Sequence, residues 1–114
     1  MSETASSDTP ILDLLELMTV ASVEASTLDA RSIAMVRLAA LVASGATAAS
    51  YAVNLAAATE VGLDAEDVRG ILTAIAPIVG TARTAEATGR IVTAIGVAIE
   101  VAAEELEQEL EDNS

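Results

Sequence analysis

The chain has no cysteine, no histidine, no phenylalanine and no tryptophan, and its single aromatic residue is Tyr51. Without cysteine there is no disulfide and no thiol redox couple, and without cysteine and histidine the usual zinc sites cannot be assembled. Cysteine usage therefore gives no reading of the compartment. Positive charge is also scarce: five arginines and no lysine stand against 18 acids, for a net charge of −13. Binding a nucleic-acid backbone needs clustered Lys or Arg, and five scattered arginines make no such patch. An anionic membrane surface is disfavoured on the same ground. The acids are unevenly placed, with seven in residues 100–112 and nine, against all five arginines, in residues 11–99. The body of the chain is only mildly acidic.

What is present is small and aliphatic. Hydrophobic residues make up 53% of the 114 positions, and a chain of this length forms one domain that buries roughly two thirds of its unfolded surface. A core of Ile, Leu, Val and many alanines suits closely approaching helices and suits a sheet sandwich poorly. No two-residue alternation, hairpin dipeptide or internal repeat is found. The expected fold is all-α, a single-domain bundle of about five helices, with a polar leader at 1–9, a helical domain at 10–106 and an acidic tail at 107–114. The leader, MSETASSDTP, has no positive n-region and is not a signal peptide, so the expected location is cytoplasmic.

Local signals place the helices. Asp8 or Thr9 can cap a first helix with Pro10 in its first turn. Ile11, Leu14, Leu15, Met18 and Val23 form its apolar stripe as far as about Ala25. Asp29 is placed to cap a second helix over residues 30–44, with Ile33, Val36, Ala40 and Leu41 towards the core and Arg37 amid apolar neighbours. Asp64 is placed to cap a fourth helix, where Glu66 and Asp67 suit the positive end of the dipole. Val68, Ile71, Leu72 and Ile75 are its buried stripe, and Pro77 predicts a kink or an end near Ala76. The last helix is expected from near Thr81 to about Leu106, with Ile91, Ile95, Ile99 and Ala102 on one face. Beyond it, like charges at i,i+4 predict fraying.

The rest of the chain is organised around GATAASYAVNLAAATEVG, residues 45–62. It lies in a charge-free run, residues 38–59, that is long enough to span a bilayer. Ser44, Gly45, Thr47, Ser50 and Asn54 interrupt that run, and strongly inserting residues are few. A buried soluble helix is the expectation, and no membrane partner. Gly45 and Gly62 mark the segment's two ends. Thr47, Ser50, Tyr51 and Asn54 fall in one stripe, opposite Ala49, Ala52, Val53 and Ala56. A helix without a charged face is normally buried all round, so the stripe is expected to face a partner, a cavity or another subunit.

Two long stretches, LDARSIAMVRLAALVASG and EVGLDAEDVRGILTAIAPIVGTAR, resemble the carboxymuconolactone decarboxylase-like superfamily, which includes the alkyl hydroperoxidase D proteins. The resemblance covers residues 28–99, and the Gly-Leu-Asp-x-Glu-Asp turn leading to Ala-Pro-Ile-Val-Gly is its most specific part. It implies an all-helical fold assembled into trimers or hexamers with interleaved subunits. In the family's redox branch a Cys-x-x-Cys-x-x-x-His motif lies on the helix before this turn. Counting back eight residues from Gly62 puts Asn54 at the histidine position, Ser50 at the second cysteine and Thr47 at the first. The sequence departs from the motif at all three.

Thiol peroxidase chemistry is thereby excluded, because it needs a sulfur nucleophile of lowered pKa that cycles through sulfenic acid. Thr47, Ser50 and Asn54 remain as the degenerate motif positions. Read simply, they are helix-bound hydroxyls and a satisfied amide; they also fit a ligand pocket or a remnant active site. Arg37, Tyr51, Glu60 and Arg83 are the accompanying pocket or ion-pair candidates. Arg37 needs a carboxylate, for which Glu60 or Glu86 would serve, and Arg83, near a helix N-terminus, must pair or hold an anion. No cofactor and no metal is expected. Three functions fit: a non-redox homo-oligomer that binds a small molecule beside Asn54, a cofactor-free decarboxylase or isomerase using Asn54, Arg37 and a carboxylate on a small anion, and an assembly protein with an acidic adaptor tail.

Overall fold

The computed structural model describes residues 8–113, with the side chains of residues 97–102 left undescribed. Most of the expected leader, residues 1–7, and the expected face positions Ile99 and Ala102 therefore lie outside the described residues. The described chain is all helical, with five helices: α1 (Pro10–Ala25), α2 (Ala30–Ser44), α3 (Ala48–Glu60), α4 (Ala65–Val79) and α5 (Thr81–Asp112). It divides into two units after Ala30.

The first unit holds α1. Thr9 is its N-cap residue and Pro10 its first helical residue, a position where proline's fixed φ is already helical and its missing N–H is not needed. Its apolar residues are exposed within a single chain, from 43% for Val23 to 73% for Ile11. The helix expected from the sequence forms, but its stripe is not buried.

In the second unit the helix ends follow from local chemistry. Gly45 and Gly62 have φ of 72° and 85°, the left-handed conformation that glycine adopts without a Cβ penalty. Each closes a helix in the same way. Gly45 N donates to Val42 O and Ala46 N to Leu41 O, while Gly62 N donates to Thr59 O and Leu63 N to Ala58 O. These are paired Schellman bonds satisfying the last carbonyls. Gly45 thus ends α2 rather than opening α3, which starts after Thr47. Asp64 and Asp67 form a reciprocal capping box at the start of α4, with both bonds 2.9 Å.

The core gathers Leu38 and Val42 of α2, Tyr51 of α3, Ile71 of α4, and Ala87, Ile91 and Ala94 of α5. Both α3 and α4 pack on α5, where alanines at 87 and 94 let the helix axes come close. Burying Leu38 or Val42 contributes about 1.5–3 kcal/mol each.

Five expectations are corrected. On α2, Val36 and Ala40 are exposed, and the bulkier Leu38 and Val42 face the core. On α3, Ala49, Val53 and Ala56 are exposed, so a helix without charge on this face is not covered on all sides by its own chain. Pro77 does not stop α4, which runs on to Val79 with Gly80 N bonded to Ala76 O. Without an N–H, Pro77 leaves the Thr73 carbonyl without its i+4 donor, and the helix carries that one lost bond for its last two residues. Finally, α5 continues through the like-charged turns to Asp112, six residues past Leu106. Its acids from Glu104 onward are exposed to water, which screens their repulsion. Also on α5, Ile95 is half exposed and Ala94 takes its place in the core. Among the described residues no helix is long and apolar enough to cross a membrane.

Candidate functional site

The first turn of α3 carries the positions singled out by the sequence. Thr47 is extended (φ −79°, ψ 163°) and caps α3, its Oγ1 accepting from Ser50 N. The cap distance is 3.3 Å, and the Thr47 hydroxyl also donates to Ser50 Oγ at 3.4 Å. One turn on, the half-buried Asn54 donates from Nδ2 to Ser50 O at 2.9 Å. The three residues are therefore neighbours, as their spacing implied. Thr47, however, stands just outside the helix, and its hydroxyl bonds forward to the first turn rather than back to a carbonyl.

Tyr51 does not share their exposure. It turns fully into the core (0% exposed), while Ser50 and Asn54 stay half-buried. The polar stripe is thus split along its length. The Tyr51 hydroxyl has no hydrogen-bond partner among the described residues. Burial holds its pKa above the ordinary value; the Arg90 guanidinium works against this and the Glu86 carboxylate adds to it.

Arg83 and Arg90 of α5 meet the turn just ahead of Thr47. Arg83 Nη1 donates to Ala43 O at 2.7 Å. Arg90 Nη1 donates to Gly45 O and Ala46 O, both at 3.1 Å, and forms an ion pair with Glu86 at 2.8 Å. Cations here meet the negative end of the α2 dipole and its unsatisfied carbonyls. Arg83 was expected to hold a carboxylate or an anion; it holds a helix end instead. A third arginine repeats the arrangement at the end of α3, where Arg31 reaches Gly62 O at 3.2 Å and Asp67 at 2.9 Å. Asp67 is held below the usual carboxylate range, first by the Asp64 backbone N–H and then by Arg31.

Glu60 is exposed at the far end of α3, and Arg37 is half-buried on α2, held by an interaction of its own. Arg90 and Arg31 were missed in the sequence. The Glu86–Arg90 spacing of four was the one local signal for Arg90, and nothing local points to carbonyls on another helix. Surface cavities of about 370, 410 and 650 Å³ lie among the described residues. They lie between α2 and α4, between α3, α4 and α5, and between α4 and α5, and none of the three is lined by Thr47, Ser50 or Asn54.

Over residues 11–103 the sequence matches the carboxymuconolactone decarboxylase family. The chain belongs to that family. No curated protein and no solved structure matches it. Within the matched residues of this member of the carboxymuconolactone decarboxylase family lie the glycine turn at Gly62, the capped helix that follows and the polar, non-sulfur side chains of Thr47, Ser50 and Asn54.

Proposed function

We propose that this member of the carboxymuconolactone decarboxylase family is a non-redox, non-catalytic homo-oligomer. The observation that carries the reading is the bond from Asn54 Nδ2 to Ser50 O. At the position where the redox branch has a base, the side chain here is an amide, and its donor is used one turn back on its own helix. Ser50 and Thr47 are likewise occupied with each other and with a helix cap. The chain has no thiolate, and the hydrogen bonds of the Thr47 and Ser50 hydroxyls among the described residues include no carboxylate that could activate them. A decarboxylase or isomerase role on a small anion would need Asn54 and Arg37 turned onto one substrate, and the bonded amide gives it no support.

Oligomerisation is supported by what one chain leaves uncovered. Ile11, Leu12 and Leu17 on α1, Val53 on α3 and Ile78 on α4 are each more than 60% exposed. Exposed large apolar side chains on each unit are what a second chain would cover. Of the other readings, a small-molecule site beside Asn54 has one specific observation in its favour, the buried and unpartnered Tyr51 hydroxyl three residues away. A buried polar group without a partner costs about 1–3 kcal/mol, which a ligand or water oxygen would recover. The reading as a whole is tested by assaying the purified protein for peroxide consumption with a dithiol reductant. No turnover above the buffer rate is expected, and measurable turnover overturns the proposal.

A further inference from the structure

The cavities of about 650 and 410 Å³ are two stretches of one trough. Both are lined by Ala65 and Val68 of α4, while α5 contributes Thr84, Thr88 and Ile91 to the first and Ile95 to the second. Steps of four, three and four residues put those four α5 side chains on one helix face. From Thr84 to Ile95 the helix rises about 16 Å, at 1.5 Å per residue. The trough changes character along that length. Towards Gly80, where α4 gives way to α5, its lining includes Thr73, Thr84 and Thr88. Beyond Ile91 it is mainly Leu55, Ala58, Leu63 and Ile95. The polar residues of that far stretch, Thr59 and Asp64, are engaged with Leu55 O and with the capping box.

The polar end selects the ligand. Each threonine hydroxyl has one proton, and each proton is engaged within its own helix. Thr73 Oγ1 donates to Arg69 O and Thr84 Oγ1 to Gly80 O, both at 2.8 Å, and Thr88 Oγ1 donates to Thr84 O at 2.9 Å. What these hydroxyls have left to offer is lone pairs. Arg69, also on the lining, is tied to Glu66 at 2.8 Å. Acceptors at one end of an apolar channel fit a head group rich in N–H bonds. The chain's net charge of −13 favours a cation over an anion. We propose that the α4–α5 trough binds a single-chain aliphatic primary ammonium, its head on the threonine oxygens and its tail running over Val68 towards Ile95. An extended chain advances about 1.2 Å per bond, so a tail of about twelve to fourteen atoms fills the trough. The site is separate from Asn54 and does not depend on the oligomeric reading above.

The test is calorimetric titration of the purified protein with dodecylammonium below its micelle concentration. Dodecanoate and dodecyltrimethylammonium are the comparisons; the latter keeps the charge and the tail but has no N–H. Dodecylammonium should bind about tenfold tighter than either, the ratio expected for hydrogen bonds from a charged donor. Thr84→Val combined with Thr88→Val keeps the side-chain shape and should remove that preference at an unchanged melting temperature. Ile95→Asn should weaken dodecylammonium and leave hexylammonium unaffected, since the shorter tail does not reach it. Equal binding of the trimethyl compound would reduce the site to charge attraction, and tighter binding of dodecanoate would give the selection to Arg69. No saturable binding, as when a second chain covers the trough, would remove the site. Each of these three results overturns the proposal.

Discussion

Thr47 Oγ1 lies 3.4 Å from Ser50 Oγ across the first turn of α3. That separation places the N-cap hydroxyl and the third helical residue face to face, so the backbone still offers the geometry of a dithiol that this chain lacks. The motif positions were assigned by counting back from Gly62, and the structure brings them together. Replacing Thr47→Cys, Ser50→Cys and Asn54→His should give two thiols that oxidise reversibly with peroxide. Loss of the threonine cap should cost about 1 kcal/mol. Thiol titration before and after peroxide decides it: two folded, unreactive thiols would mean that the alignment of this turn with the family motif is wrong.

Tyr51 gives an alkaline readout with no competing aromatic. Burial raises its pKa above that of an exposed tyrosine, so the folded state keeps its proton where the unfolded chain has lost it. Stability is then constant below about pH 10 and falls as pH rises above it. Tyrosinate absorbance during an alkaline titration should appear together with unfolding. Tyr51→Phe should remove this dependence and leave stability at neutral pH unchanged or raised by about 1 kcal/mol, since the hydroxyl makes no hydrogen bond among the described residues. A fall of about 2 kcal/mol on that change would show that the hydroxyl has a partner.

Asp67 gives the acid side. Its folded pKa is depressed, so its stabilisation is present above the carboxylate's unfolded value near pH 4 and is lost as pH falls through the lower folded value. Asp67→Asn should flatten the acid limb of the stability curve, read as melting temperature between about pH 2 and pH 5. An unchanged limb would show that the capping box and Arg31 contribute nothing measurable.

Removing residues 104–114 should cost little. These turns are helical as far as Asp112, but Leu106 and Leu110 are more than half exposed and their neighbours are acids. The melting temperature should fall by less than about 8 °C, which is on the order of 1–2 kcal/mol for a domain of this size. A larger drop would mean that the leucines are packed, and an oligomer contact would then be the first place to look.

The helices were legible because their ends are local chemistry: Gly45, Gly62, Pro10 and the Asp64–Asp67 box each act within a few residues of themselves. Pro77 marked the last turn of α4, which ends at Val79 with Gly80 as its C-cap; the stop came three residues later than Ala76. The face of α2 was misjudged because alanine and valine occur on several of its sides, and packing decided for Leu38 and Val42. At the site, the proximity of Thr47, Ser50 and Asn54 followed from helical spacing. The arginine contacts did not. Arg90 reaches carbonyls 44 and 45 residues away, and no spacing rule carries that information. Nor does one sequence say which apolar face meets a second chain.

The central claim is that the apolar surface a single chain leaves exposed is buried between copies. The most direct measurement is the molar mass from light scattering after gel filtration at micromolar concentration. A mass of at least twice the 11.5 kDa of one chain is expected, and a homogeneous monomer would contradict the account.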